Sequence, residues 1–260
     1  MKLINRILLL IIISLSIIAN TEAQETMYII KDGVVVGEHV LAEVDSVIFY
    51  QPSQGILIDN DGNEYQTVLI GTQTWMSENL RTTTYNDGTA IHKITDNALW
   101  ADISIGAYCW YDNDETFAND NNYGALYNWY TIETNKLCPS GWHVPSDEEW
   151  QILERFLGIS ESDLNATGYR GTTEGLKLKA NSGWYSTGNG TNDYDFSAPP
   201  SGGRHYSNSG FYDASFLGTW WSGTENGNDA YSRLLYCLND AIMRNLDNKN
   251  NGFSVRCIKD

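Results

Sequence analysis

The chemistry this chain could perform rests on four cysteines, four isolated histidines, two acidic runs, and rings set among small polar residues. Cys109, Cys138, Cys237 and Cys257 are an even set without Cys-x-x-Cys spacing. They therefore predict disulfides in an exported protein rather than redox catalysis or a zinc knuckle, with three pairings open to the residues alone. Histidines 39, 92, 143 and 205 stand singly, so none is a member of a ligand cluster. His143 beside Trp142 reads as a hydrogen-bonded residue at the core edge. His205, in the Gly-rich run from Pro200 to Tyr206, is the histidine a loop can bring to a surface site. Asp112, Asp114 and Asp120 could hold calcium, although a solvated loop is the commoner meaning of such a run. Asp147, Glu148 and Glu149 fall where a helix begins, a position that favours negative charge without any catalytic role.

The richest candidate surface lies between Gly183 and Asn228, where Gly, Ser, Asn and Tyr dominate and rings interrupt them. Rings supply rigid apolar area, and Ser or Asn supply hydrogen bonds, a combination suited to sugar or protein contact. Trp184, Tyr206, Tyr212, Trp220 and, just beyond, Tyr231 are the candidate ligand contacts, with His205 beside them. So long a stretch with little periodicity reads as functional loop or decorated strand.

The elements that must position these groups are legible in places. Pro145 interrupts the chain, Ser146 is a good N-cap, and Glu149 stands three residues on, which predicts a capping box and a helix over 146–157 with Trp150, Leu153, Phe156 and Leu157 at helical spacing. Residues 56–65 and 67–70 predict a hairpin turning at Asp61-Gly62, and that turn, rather than a calcium loop, explains Asp59, Asp61 and Asn63. Tyr231 to Cys237 followed by Ile242 to Asn245 predicts an antiparallel pair, and Phe253 and Val255 alternate with Ser254 and Arg256 as a last strand would. Trp75 reads as core, as do the rings of Tyr123 to Tyr130.

Lys2 and Arg6 precede an apolar run from Ile7 to Ile18 and then Thr21-Glu22-Ala23, the pattern of a signal peptide over residues 1–23. The run is short for a membrane span, and no cysteine near its end could accept a lipid. Residues 24–55 predict a short hairpin, with a third strand at 44–49 and a linker at 51–55; residues 56–260 predict the main domain. A net charge of -17 disfavours nucleic acid and anionic lipid as partners.

Residues 61–80, Tyr123 to Trp129, Cys138 to Trp150, Trp220-Trp-Ser222 and Gly252 to Cys257 together resemble the Fibrobacter succinogenes major paralogous domain over about residues 57–260. The family is one of exported bacterial proteins without a common established activity. His143 to Trp150 and Gly252 to Cys257 are more distantly similar to the formylglycine-generating enzyme superfamily, whose fold is a variant of the C-type lectin fold. That similarity implies an α+β domain: a small twisted antiparallel sheet beside helices, with long loops on one side. It implies a Cys138–Cys257 disulfide, leaving Cys109 with Cys237. It does not carry over the oxidase, which needs two reactive cysteines before its terminal strand where this chain has only Cys237. Nor does the chain contain the Glu-Pro-Asn, Gln-Pro-Asp or Trp-Asn-Asp signatures of calcium-dependent lectins. The expectation is a non-enzymatic binding or adhesion module of the bacterial surface that takes glycan or protein. An enzyme acting on envelope polymers and a ligand-free structural component are the rival readings.

Overall fold

The computed structural model describes residues 26–31, 34–40 and 55–260. The expected signal peptide, the third N-terminal strand and the linker up to residue 54 lie outside the described residues. The chain divides into two units, the boundary falling after Gln51. In the first, β1 (Thr26–Lys31) and β2 (Val34–Val40) pair antiparallel, as the hairpin pattern predicts. No helix among the described residues is long and apolar enough to cross a membrane.

The second unit is built from three sheets. The first has the order β3 (Ile56–Ile58), β4 (Glu64–Ile70), β5 (Gln73–Met76), β16 (Ile258–Lys259), β9 (Trp142–His143). A small one contains β6 (His92–Lys93), β7 (Ala107–Cys109) and β8 (Leu126–Tyr127). The largest runs β10 (Gly168–Arg170), β15 (Asn239–Asn248), β14 (Asp229–Tyr236), β13 (Leu217–Asn226), β11 (Ser201–Arg204), β12 (Phe211–Ala214). It is antiparallel except for the β11–β13 contact.

This architecture corrects the expected α+β, lectin-like fold. The helices are α1 (Asn97–Asp102), α2 (Glu115–Asp120), α3 (Tyr130–Glu133), α4 (Asp147–Leu157) and α5 (Glu174–Leu178), and only α4, with 11 residues, exceeds two turns. Four short helices cannot form a layer beside a small sheet. Instead a six-stranded sheet dominates, with β13 and β15 each 10 residues long, and β11, β12 and β13 run through the stretch read as functional loop or decorated strand. The domain is mostly β, and its architecture does not show a C-type lectin fold.

Local chemistry explains the elements that were foreseen. Ser146 Oγ accepts from Glu149 N, and the Glu149 carboxylate accepts from Ser146 N at 2.8 Å, closing the capping box at the head of α4. Gly158, at φ 119°, ends that helix in the left-handed region open to glycine. In the β3–β4 turn, Asp59 accepts from the backbone N–H groups of Asp61 and Asn63 and from the Tyr65 hydroxyl, so the turn reading holds. The expected last strand is a departure. Gly252, Phe253 and Ser254 make single bridges to Arg204, Tyr127 and Trp220, and this segment stitches two sheets together instead of extending either.

Two large cores lie in this unit. Trp75, Trp150, Leu153, Leu157, Trp220 and Leu235 belong to one, and Tyr65, Tyr127, Trp129, Trp221, Phe253 and Val255 to the other. Trp220 and Trp221 are adjacent on β13 and face opposite ways, as strand geometry requires. Both are nevertheless buried, because the six-stranded sheet is covered on each face around them.

Between α4 and the sheet sits a charged cluster with almost no water access. Glu154 accepts from Arg170 Nη2 at 2.6 Å and Arg233 Nε at 2.5 Å, and Asp147 accepts from Arg233 Nη1 and Arg244 Nη2, each at 2.8 Å. Burial would raise the Asp147 carboxyl, but Arg244 and Arg233 outweigh it and hold the group below its ordinary value. Asp147 at the helix start and Glu154 about two turns further along thus neutralise arginines.

Candidate functional site

Three of the six nominated ligand residues come together at the β11–β12 hairpin. The His205 and Tyr206 rings stack with centroids 4.7 Å apart and planes 28° apart. Tyr212 meets His205 edge-on at 6.3 Å. Backbone anchors hold the pair in place: His205 N donates to Gly210 O, and Tyr206 N donates to Asn251 Oδ1, both at 2.9 Å. Ser207 N donates to His205 Nδ1 at 3.2 Å, so in this arrangement the imidazole carries its proton on Nε2. The Tyr206 ring is 40% exposed, and a stacked, anchored ring of this kind offers a flat apolar face at little entropic cost.

Glycines set the depth of this site. The Tyr212 ring lies over Gly203, where a Cβ would stand 2.8 Å from the hydroxyl oxygen. At Gly202, whose φ is +64°, a Cβ would approach the Tyr212 carbonyl oxygen to 2.4 Å. The Gly-Gly pair therefore allows the close approach of β12, and no side chain can replace either without moving the ring.

Asp247, on β15, accepts from Ser232 Oγ at 2.5 Å and from Asn245 Nδ2. Burial raises the Asp247 carboxyl despite these donors, with the Asp229 charge adding to the rise. Burial likewise raises the Tyr212 phenol, and the charge of Asp247 acts on it in the same sense. Asn251, which holds Tyr206 from the neighbouring segment, is itself buried.

The other three nominated residues are elsewhere. Trp184 is 4% exposed and donates Nε1 to Ala198 O, and Trp220 is 1% exposed and donates Nε1 to Asn79 Oδ1. Both are core residues, which overturns their assignment as ligand contacts. Tyr231 is half-buried with the Arg244 guanidinium 4.0 Å from its ring centroid. The calcium candidates also separate by role. Asp114 caps α2 by accepting from Phe117 N at 3.0 Å, and Asp112 occupies a left-handed position at φ 52°. With Asp120 they make no cation site: among the described residues no three His, Cys, Asp or Glu side chains converge.

The structure contains the Cys138–Cys257 disulfide. Cys109 and Cys237 are each free and buried, contrary to the expected second pair. They lie in different cores, Cys109 with Trp100 and Leu126, Cys237 with Trp184 and Ile242. Burial pushes the Cys109 thiol up to about 12, which keeps it protonated and inert near neutral pH.

The profile of the Fibrobacter succinogenes major domain matches residues 68–259. The chain belongs to that family. Neither a curated protein nor a solved structure matches it. In this Fibrobacter succinogenes major domain, the matched segment holds α4, the disulfide and the whole hairpin site.

His143, foreseen as hydrogen-bonded at the core edge, bridges two acids: Nδ1 to Asp260 Oδ1 at 2.6 Å and Nε2 to Glu149 Oε1 at 2.9 Å. Burial would lower its pKa, but the Asp260 and Glu149 hydrogen bonds prevail and raise it above the ordinary 6.5. A raised imidazolium stabilises the fold fully below pH 6.5 and loses that contribution as pH rises through its folded pKa. Glu149 is the opposite case. Burial would raise it, but Ser146 and His143 hold it below 4.5, so its share is lost as pH falls through its folded pKa. The His143→Gln variant should therefore match the wild type at pH 8.5 and be less stable at pH 5.5, by under about 1 kcal/mol because the side chain is 41% exposed. Urea unfolding of both proteins at the two pH values checks this, and a deficit that grows towards pH 8.5 would refute it.

One cleft was not anticipated. Glu78, Asn79, Arg81, Asn119, Asn122 and Gly124 line it. Its residues come from two segments about 40 residues apart, and nothing in their spacing signals that they meet.

Proposed function

We propose that this domain is an exported, non-catalytic binding module of the bacterial surface, taking glycan through the His205–Tyr206–Tyr212 hairpin. The observation that carries this reading is the half-exposed Tyr206 ring, stacked on His205 and held by the bond from its backbone N–H to Asn251. An apolar ring face of this kind packs against the C–H face of a sugar. The amino-terminal signal pattern and the family's exported character support the compartment. The calcium dependence considered from sequence has no cluster of ligands to support it among the described residues.

A glycan array probed with the protein, with calcium and again with EDTA, tests the reading. Binding is expected to survive EDTA and to fall about tenfold in Tyr206→Ala, the loss of one well-placed stacking contact. Binding to no glycan, or equal binding by the wild type and a Tyr206→Ala/Tyr212→Ala variant of unchanged stability, would remove this function from consideration.

A further inference from the structure

The unanticipated cleft has a volume of about 230 Å³, and its walls are preorganised. Asn79, at its base, is buried and fully committed: Nδ2 donates to Tyr123 O and Ser254 Oγ, and Oδ1 accepts from Trp220 Nε1 and Arg256 Nε. Gly124 stands at φ +69° against it, where a Cβ would meet Leu80 O at 2.7 Å and Asn79 Cβ at 2.8 Å. This wall can be built only with glycine, so the space beside it is a consequence of the fold.

The charges in the cleft cancel. Arg81 Nη1 donates to Glu78 Oε2 at 3.1 Å, Nη2 donates to Glu64 O at 2.7 Å, and the guanidinium lies 4.5 Å from the Tyr65 ring centroid. Glu78 Oε1 is occupied by Gln66 N at 2.9 Å. An anionic or cationic ligand would have to compete with this pair, whereas a neutral one leaves it intact. The side-chain amides of Asn119 and Asn122, by contrast, have no hydrogen-bond partner among the described residues. Each offers two donors and one acceptor, the set that matches hydroxyl groups, which donate and accept together. A cleft of about 230 Å³ is of the size that takes a single six-membered sugar ring in place of several waters.

We propose that this cleft is a second binding site, for a single uncharged sugar residue held by the Asn119 and Asn122 amides against the neutralised Glu78–Arg81 wall. It shares no residue with the hairpin, so it stands or falls independently of the hairpin's role in glycan binding.

The test is an amide-detected NMR titration of the full chain with methyl α-D-glucopyranoside, methyl β-D-galactopyranoside and N-acetylglucosamine, each to about 10 mM, where even a millimolar binder is largely saturated. Sodium phosphate at matched ionic strength is the charged control. At least one sugar should shift the Asn119 and Asn122 side-chain amide signals, and phosphate should not. In an Asn119→Ala/Asn122→Ala variant the affinity for that sugar, followed through backbone amides of the cleft, should fall by at least about tenfold, the loss expected for deleted hydrogen bonds. Tyr206→Ala should leave it unchanged. Silence of both amides with all three sugars, an equal response to phosphate, or undiminished affinity in the double variant would each overturn the proposal. Because Asn119 and Asn122 are exposed, their replacement leaves the core intact.

Discussion

Replacing Glu154 with Ala should destabilise the domain by about 3–5 kcal/mol, the cost of leaving buried charge without its counterion. Glu154 is fully buried and accepts from both Arg170 and Arg233, themselves almost fully buried. With Asp147 it balances three guanidiniums, so its loss leaves Asp147 alone against Arg170, Arg233 and Arg244. Arg170 Nε already lacks a partner, so the cluster has little spare hydrogen bonding with which to compensate. Desolvation already lowers the Arg170 pKa against the pull of Glu154, and removing the acid withdraws that support. Replacing the members together with apolar residues of similar volume should cost far less than the single change, because burying no charge avoids the desolvation penalty. Urea unfolding measures both effects. A Glu154→Ala deficit below about 1 kcal/mol would mean that water enters the cluster and the pairing is weak.

The second large effect concerns the disulfide. Cys138 and Cys257 are 119 residues apart, and a cross-link closing so long a loop stabilises by about 5 kcal/mol in the chain-entropy description. The Cys138→Ser/Cys257→Ser variant should therefore unfold at much lower urea concentration than the oxidised wild type. Retention of the wild-type midpoint would refute the estimate. Thiol titration of the unreduced, denatured wild type provides an independent check. It should find two free thiols, those of Cys109 and Cys237, and a count of zero would restore the second disulfide.

Legibility from sequence followed the range of the interactions. The α4 capping box joins residues three apart, and the Asp59 turn joins residues two to six apart. Such pairs are forced together by local backbone geometry, so residue type and spacing reveal them. The charged cluster joins Asp147 to Arg244, 97 residues apart, and no local pattern can announce that. Asp147 was legible as a helix-start residue; Glu154 and the arginine partners were not.

The aromatic stretch shows the same division more sharply. Trp184, Trp220, Tyr206 and Tyr212 share similar small, polar neighbours in sequence, yet two are core and two form the hairpin site. A one-residue step along β13 sends Trp220 and Trp221 to opposite faces. Whether a face is wet depends on what the chain lays over it later. The α+β expectation comes from the distant superfamily similarity, not from local pattern; in the stretch read as functional loop or decorated strand, β11 and β12 pair through Gly203, beneath the Tyr212 ring.

By itself the sequence determined the family, the capped helix, the hairpin turns and the residue types available for binding, because these depend on neighbours a few residues away or on ordered motifs along the chain. Only the tertiary structure decided which rings are exposed, which cysteines pair, where the acids find their arginines, and that residues 78–81 and 119–124 enclose a cleft. Each of those outcomes depends on chain segments distant in sequence, which sheet pairing and burial bring into contact.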